Sequence, residues 1–292
     1  HTRSCLVSWG SEMCIRDRTL RRLRPDIIHC HSFNLLPVLP GFRDRLVYTI
    51  HDVGITERYF HRCAALAAIS EEVAREHEGK GWPVTVITNG IDFNALRRRP
   101  YRAPAAGEPL RVVNVGRLMA EKKGQDILLR AAAMLISRGK EVEVTLIGEG
   151  RSEGELRALA AGLGISGRVR FMGRRDRAEV YAALADYHAM CHPSRYEGFG
   201  LTVAEGMGAG LPVVVSDSGG PCEITAGGEF GKIFPTGDPA GCARALGELI
   251  DHYPTPREIE DARIHAVDHY SIDRMVADYR RLYRSVTATR RG

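Results

Sequence analysis

No stretch of this 292-residue sequence approaches the roughly 18 consecutive apolar residues of a membrane-crossing helix; its longest apolar runs, such as 64–69, are core-sized. The N-terminus has no apolar segment of the secretory-signal kind. Cysteine is scarce and scattered. Its seven positions (5, 14, 30, 63, 191, 222 and 242) are odd in number and contain no C-x-x-C pair, so neither a disulfide framework nor a zinc site is indicated. A reducing, cytoplasmic setting is expected. No recognised motif interleaves aromatic and basic residues, which argues against a nucleic-acid partner. What remains is 44% apolar and 26% charged, the balance of a globular protein long enough for two domains.

The net charge of +5 is unevenly placed. Residues 1–105 hold 16 Lys/Arg against 11 Asp/Glu, whereas 106–292 hold 25 of each. The excess sits at Arg21, Arg22 and Arg24 and again at Arg97, Arg98 and Arg99. Two readings stand side by side: a solvated surface, or a patch that meets an anionic membrane surface or an acidic acceptor.

Residues 1–18 show no period, cap or turn signal, and no Met begins them. They are expected to be a non-native leader and are set apart from the fold. Short β-branched runs then alternate with helical patterns. Strands are expected at 26–31, 46–51, 67–69 and 84–87, with a short helix at 71–78 led by Ser70 as N-cap. The Arg-, Ala- and Pro-rich stretch 93–109 reads as a linker. A second series follows, with strands at 110–115, 142–147, 169–172, 187–191 and 212–215. Helices are expected between them near 124–138, 151–163, 176–185 and 200–210. Such alternation predicts an α/β protein of two Rossmann-like domains facing a cleft, with ligands at the carboxyl ends of the strands. The expected division is a partial N-terminal domain at 19–106, a C-terminal domain at 107–269, and a terminal helix at 270–292. Ile272, Met275, Val276, Tyr279, Leu282, Tyr283 and Val286 give that helix one apolar face, which predicts that it crosses back to the N-terminal domain.

Three constellations carry chemistry. Gly116 and Arg117 follow a strand and precede Lys122, Lys123 and Gly124 at a helix start. A glycine turn, cations and a helix N-terminus together suit a phosphate. Glu197 and Glu205 are separated by seven residues, the first in a Pro- and Gly-rich loop and the second in the helix after it. That loop leaves the amides of Phe199, Gly200 and Leu201 free for phosphate or sugar oxygens. A carboxylate that accepts two hydroxyls suits a sugar or ribose diol. Gly219, Gly220 and Pro221 follow the next strand and permit close approach, and Glu223 is expected to begin a further element. Taken singly, each has a plain surface reading; their shared place after strands of one sheet makes them a set.

At 116–129, Gly148, 169–173, 192–214 and 218–224 the sequence resembles the GT4-type family of retaining glycosyltransferases with the GT-B fold. Weaker resemblance extends over roughly 19–290. The resemblance implies transfer of a sugar from a UDP- or GDP-linked donor to a hydroxyl of a lipid-linked or saccharide acceptor. Bacterial surface polysaccharide or glycolipid assembly is the implied setting, in the cytoplasm or peripherally on the inner face of the plasma membrane. Arg117 and Lys123 would hold the donor diphosphate, Glu197 would lie near the transferred sugar, and Glu205 would bond the ribose. Phe171, Met172 and Gly173 would wall the base pocket, and His51 would face the donor sugar. No cofactor and no metal are expected. The first strand and glycine-rich loop usual in the family are missing here, so an unpaired sheet edge and donor binding without efficient transfer are expected. Two other functions share the fold: a nucleotide-sugar epimerase or hydrolase, and a non-catalytic nucleotide-sugar binder.

Overall fold

The computed structural model describes residues 4–5, 20 and 22–291. The chain divides into two compact units. Unit 1 comprises 1–90 with 273–292, and unit 2 comprises 91–272.

Unit 1 is built on five parallel strands in the order β1 (Ser4–Cys5), β2 (Ile27–Cys30), β3 (Leu46–Ile50), β4 (Ala65–Ala68) and β5 (Val84–Val86). β2 and β3 are buried along their whole length, and their two polar members, His29 and Thr49, meet each other at 2.7 Å. Helix α1 (Glu71–Glu78) starts at Ser70, whose hydroxyl accepts from the Val73 amide at 3.3 Å. The sequence reading leaves an unpaired edge beside β2. The structure corrects this: Ser4 and Cys5 pair in parallel with Ile27 and Ile28. The other residues of 1–18 lie outside the described residues.

Unit 2 has six parallel strands: β6 (Leu110–Val115), β7 (Val142–Ile147), β8 (Val169–Phe171), β9 (Ala189–His192), β10 (Val213–Ser216) and β11 (Lys232–Phe234). Their order across the sheet is β11-β10-β9-β6-β7-β8. The chain therefore builds outward from β6 to one side, then returns and builds to the other. The connecting helices are α2 (Ala120–Lys123), α3 (Gln125–Ser137), α4 (Glu153–Gly162), α5 (Arg177–Ala183), α6 (Leu201–Gly208), α7 (Gly219–Ile224), α8 (Pro239–Asp251) and α9 (Pro256–Tyr270). One core face joins Leu110, Val112 and Val144 of the sheet to Leu128 and Leu135 of α3 and Leu246 of α8.

Three differences from the sequence reading have physical causes. The boundary lies at 90/91, not 106/107, because the supposed linker is laid onto unit 2. There Arg99 N–H donates to the Ala209 carbonyl at 2.8 Å, Leu96 is buried, and Arg98 pairs with Glu260 at 2.6 Å. Second, Glu223 falls inside α7 instead of opening an element. Third, β11, α8 and α9 were not foreseen. β11 has only three residues, too few for a period. The two helices did carry start signals: Asp238 ahead of Pro239, and a Thr255/Glu258 capping box.

Helix α10 (Ile272–Arg291) packs in unit 1. Leu282 and Val286 bury with Ile27, Val47, Ala67 and Ile87, and Met275, Tyr279 and Tyr283 pack against them. The Tyr279 hydroxyl meets Thr49 Oγ1 at 2.8 Å, and the Tyr283 hydroxyl meets His29 Nδ1 at 2.6 Å.

Candidate functional site

The order of strands in unit 2 reverses between β6 and β9, which are hydrogen-bonded neighbours. At such a switch point the loops leaving two adjacent strands diverge and open a crevice at their carboxyl ends. The loops here are 116–124 after β6 and 193–200 after β9, which contain the cations and the first carboxylate singled out by sequence.

Glycine lets the loops touch. Gly124 has φ +66°, and a Cβ built on it would lie 1.9 Å from the Pro193 carbonyl oxygen. Gly220 is packed just as closely, with a built Cβ 2.2 Å from the Phe199 oxygen. Side chains then fasten the loops. Arg195 grips both carboxylate oxygens of Asp126 at 2.7 Å and also donates to the Ala120 carbonyl at 2.6 Å. The Lys122 ammonium lies 4.7 Å from the centre of the Tyr196 ring, a cation–π distance. Gln125, fully buried, donates to the Arg117 carbonyl at 2.9 Å.

At the centre the Lys123 ammonium is ion-paired to Glu197 Oε2. His192 Nε2 donates to the same oxygen at 3.2 Å. Oε1 of Glu197 has no hydrogen-bond partner among the described residues. Burial pushes the Glu197 carboxyl up, but the bonds from His192 and Lys123 outweigh it and hold the group at about 2. It therefore stays ionised, with one oxygen tied back and the other open to a ligand hydroxyl. Because its folded value lies below the ordinary 4.5, the stability it contributes is complete above about 4.5 and is lost as pH falls toward about 2. In urea titrations, the stability gap between wild type and Glu197→Gln is expected to close across that window, by no more than about 3 kcal/mol. A gap that does not change with pH would contradict the assigned ion pairs.

Among the described residues, the Phe199, Gly200 and Leu201 amides donate to no carbonyl, and Gly200 takes φ +92° to open α6. Arg117 is exposed and has no acceptor among the described residues. Glu205, only 8% exposed, sits further along α6, where the Tyr181 hydroxyl donates to its Oε1 at 2.8 Å. Burial raises its carboxyl above the ordinary range, partly countered by Tyr181 and Arg177. Phe171 ends β8 with the Arg157 guanidinium 4.2 Å from its ring centre. Met172 N–H donates to the Leu146 carbonyl, and the Gly173 carbonyl accepts from Gly148 N–H at 2.9 Å. His51 stands in unit 1 at the end of β3, with its Nε2 2.9 Å from His31 Nδ1; burial lowers both rings below the ordinary histidine value. The structure thus joins Lys123, Glu197 and the α6 amides into one group. It keeps Glu205 with Tyr181 and sets His51 in the other unit.

Sequence reasoning missed His192, Arg195, Asp126, Gln125 and Tyr181. Their partners are distant in sequence or across a loop, and no local pattern marks them. A cavity of ≈ 600 Å³ in unit 1, bordered by Asp44, Cys63, Ser285 and Arg290, and one of ≈ 200 Å³ in unit 2, bordered by Leu211, Lys232 and Ile259, contain none of the switch-point residues.

Two parallel α/β units, one with a nucleotide-type switch point lined by cations and a carboxylate, are the architecture of GT-B glycosyltransferases. Residues 109–252 match the model of glycosyl transferases group 1, and residues 13–95 match that of Glycosyltransferase Family 4. The chain belongs to this glycosyltransferase family. It is 29% identical over 243 residues to the phosphatidyl-myo-inositol mannosyltransferase of Mycolicibacterium smegmatis, covering 77% of this chain and 62% of that protein. It is also 29% identical over 236 residues to LpsE, a lipopolysaccharide core biosynthesis glycosyltransferase of Rhizobium meliloti, covering 79% and 67%. The chain thus spans somewhat under two thirds of the length of the mannosyltransferase. Among solved structures, HepE of Anabaena in complex with UDP superposes with a TM-score of 0.78 at 22% identity, over 94% of this chain and 82% of that one.

Proposed function

We propose that this chain carries the donor site of a retaining glycosyltransferase that moves a sugar from a UDP- or GDP-linked donor to a hydroxyl acceptor. The observation that carries the reading is the switch-point group in unit 2: Arg117, Lys123, the free amides at the start of α6, and an ionised Glu197 with one open oxygen. The leaving diphosphate gains charge as the glycosidic bond breaks. Two cations and a helix N-terminus aimed at it lower the barrier by electrostatic preorganisation. Glu197 orients and electrostatically supports the sugar; it is not assigned a covalent role. Glu205 takes the ribose, and Phe171, Met172 and Gly173 border the base. The names of the relatives support glycolipid or surface-polysaccharide assembly, with a lipid-linked or saccharide acceptor, and the UDP in HepE supports a uridine donor.

A peripheral site on the cytoplasmic face of a membrane fits the charge. Unit 1 holds 18 Lys/Arg against 12 Asp/Glu, and unit 2 holds 23 against 24. No helix among the described residues is long and apolar enough to cross a membrane.

A thermal-shift screen of nucleoside diphosphates and nucleotide sugars tests the donor class, since ligand at 100 times its Kd adds about 2.7 kcal/mol. No shift with any of them would refute the donor site. Lys123→Ala is expected to weaken nucleoside-diphosphate binding by about 1.5–3 kcal/mol in calorimetry, because a charged hydrogen bond to the diphosphate is lost. The reading needs no metal, since Arg117, Lys123 and the amides meet the diphosphate charge. Binding is accordingly expected to be unchanged by EDTA, and a lost calorimetric signal would show otherwise.

A further inference from the structure

His192 closes β9 and is only 4% exposed, yet each of its ring nitrogens is engaged. Nε2 lies 3.2 Å from Glu197 Oε2 and 3.0 Å from Ser194 Oγ, and Nδ1 lies 3.2 Å from Thr202 Oγ1. An ionised carboxylate only accepts, so the bond to Glu197 requires a proton on Nε2. Nδ1, on the other side of the ring, is held by the Thr202 hydroxyl. The ring is thereby fixed from behind by α6, in the turn whose amides are open to phosphate.

Glu197 Oε2 has a second partner, the Lys123 ammonium. In the proposed reading that ammonium also serves the donor diphosphate. Carboxylate and diphosphate therefore compete for one cation. Once Lys123 turns to the diphosphate, a carboxylate whose side chain is only 17% exposed would lose its charged partner, and burial without one favours the neutral form or a displaced side chain. His192 is the group that remains.

We propose that His192 is a positioning residue, which keeps Glu197 in place and ionised when the donor diphosphate draws Lys123 away from it. The same ring links phosphate arrival at α6, through Thr202, to the placement of the carboxylate. The inference rests on the donor-site reading above, and its test does not depend on turnover.

The test is calorimetric titration of UDP into wild type, His192→Leu, Glu197→Gln and the double variant, a cycle that isolates coupling. Without His192, Glu197 holds Lys123 more tightly, so His192→Leu is expected to weaken UDP about tenfold. Glu197→Gln releases Lys123 and is expected to tighten UDP by a few-fold. Adding His192→Leu to Glu197→Gln should then change affinity by less than about twofold, because the residue it steadies is no longer charged. His192→Gln, which offers an N–H near the place of Nε2, should restore binding to within about threefold of wild type, whereas His192→Asn, which mimics Nδ1, should not. That last pair decides the matter if the leucine variant does not fold. Equal losses in both backgrounds would show that the ring merely fills space, and wild-type affinity in His192→Leu would show that Glu197 needs no second partner. Either result overturns the inference alone. If the wild-type chain binds neither UDP nor GDP nor ADP, the donor-site reading falls and takes this inference with it.

Discussion

With glutamine in place of Glu197, sugar transfer is expected to fall on the order of 10²- to 10³-fold, the usual worth of one preorganised electrostatic contact in a water-poor site. Nucleoside-diphosphate affinity is not expected to fall with it. The open oxygen of Glu197 would face the sugar, whose positive character grows as the bond to the diphosphate breaks, so the carboxylate acts mainly in the transition state. A loss confined to kcat is the signature of such an interaction. Glu205→Gln is the contrast: its carboxylate is assigned to the ribose, which does not change during the reaction, so the donor KM should rise while kcat holds. Product formation from the donor selected by thermal shift measures both. Wild-type turnover by the Glu197→Gln protein would remove that residue from the mechanism.

Gly124→Val is expected to have the largest effect on stability. The position has φ +66°, where a β-branched residue is strained, and the added Cβ would meet the Pro193 carbonyl at 1.9 Å. Strain of this kind costs about 1–3 kcal/mol and overpacking a similar amount, so a loss of about 3–5 kcal/mol is expected. At the usual 2–4 °C per kcal/mol for a unit of this size, the melting temperature should drop by roughly 10 °C or more. Gly167→Val is the control, since nothing lies within 4 Å of a Cβ there and no left-handed φ is involved. If the two variants melt together, the loop contact at Gly124 is not as tight as the geometry implies. Where the Gly124→Val protein does fold, UDP binding should also weaken, because separating the two loops separates Lys123 from the open amides at the start of α6.

The parts of the fold that were legible in sequence are those whose signal is local. β6 and β7 were read to the residue because six-residue runs rich in β-branched residues and closed by glycine admit little else. Helix α1 was read to the residue because Ser70 announces it. The loop containing Glu197 was legible because a strand end, a proline and two glycines must make a turn. What escaped depends on chain meeting chain. Residues 93–109 have the composition of a linker, and only the contacts of Arg98 and Arg99 on unit 2 show that part of them is bound. Arg195 and Asp126 are 69 residues apart, and Tyr181 and Glu205 are 24 apart, so no window of sequence displays either pair. His192 lay in plain view beside Pro193, but its contact is with a carboxylate five residues on, across a turn whose shape the sequence did not specify.

The placement of helix α10 bears on the order in which the molecule can be made. Unit 2 is one uninterrupted stretch, 91–272, whereas unit 1 needs both 1–90 and 273–292. Domains fold as units while the chain emerges from the ribosome. Unit 2 can therefore complete its sheet before 273–292 is made. The sheet of unit 1, although its strands precede unit 2 in the chain, must wait for 273–292 before Leu282 and Val286 can cover Ile27, Val47, Ala67 and Ile87. Until then, that apolar face is open to water and to other nascent chains, and a chain cut ahead of Leu282 would keep it so permanently. Truncations that remove Leu282 and Val286 should thus give a protein that still binds nucleotide yet is recognised by chaperones and proteases as unfinished.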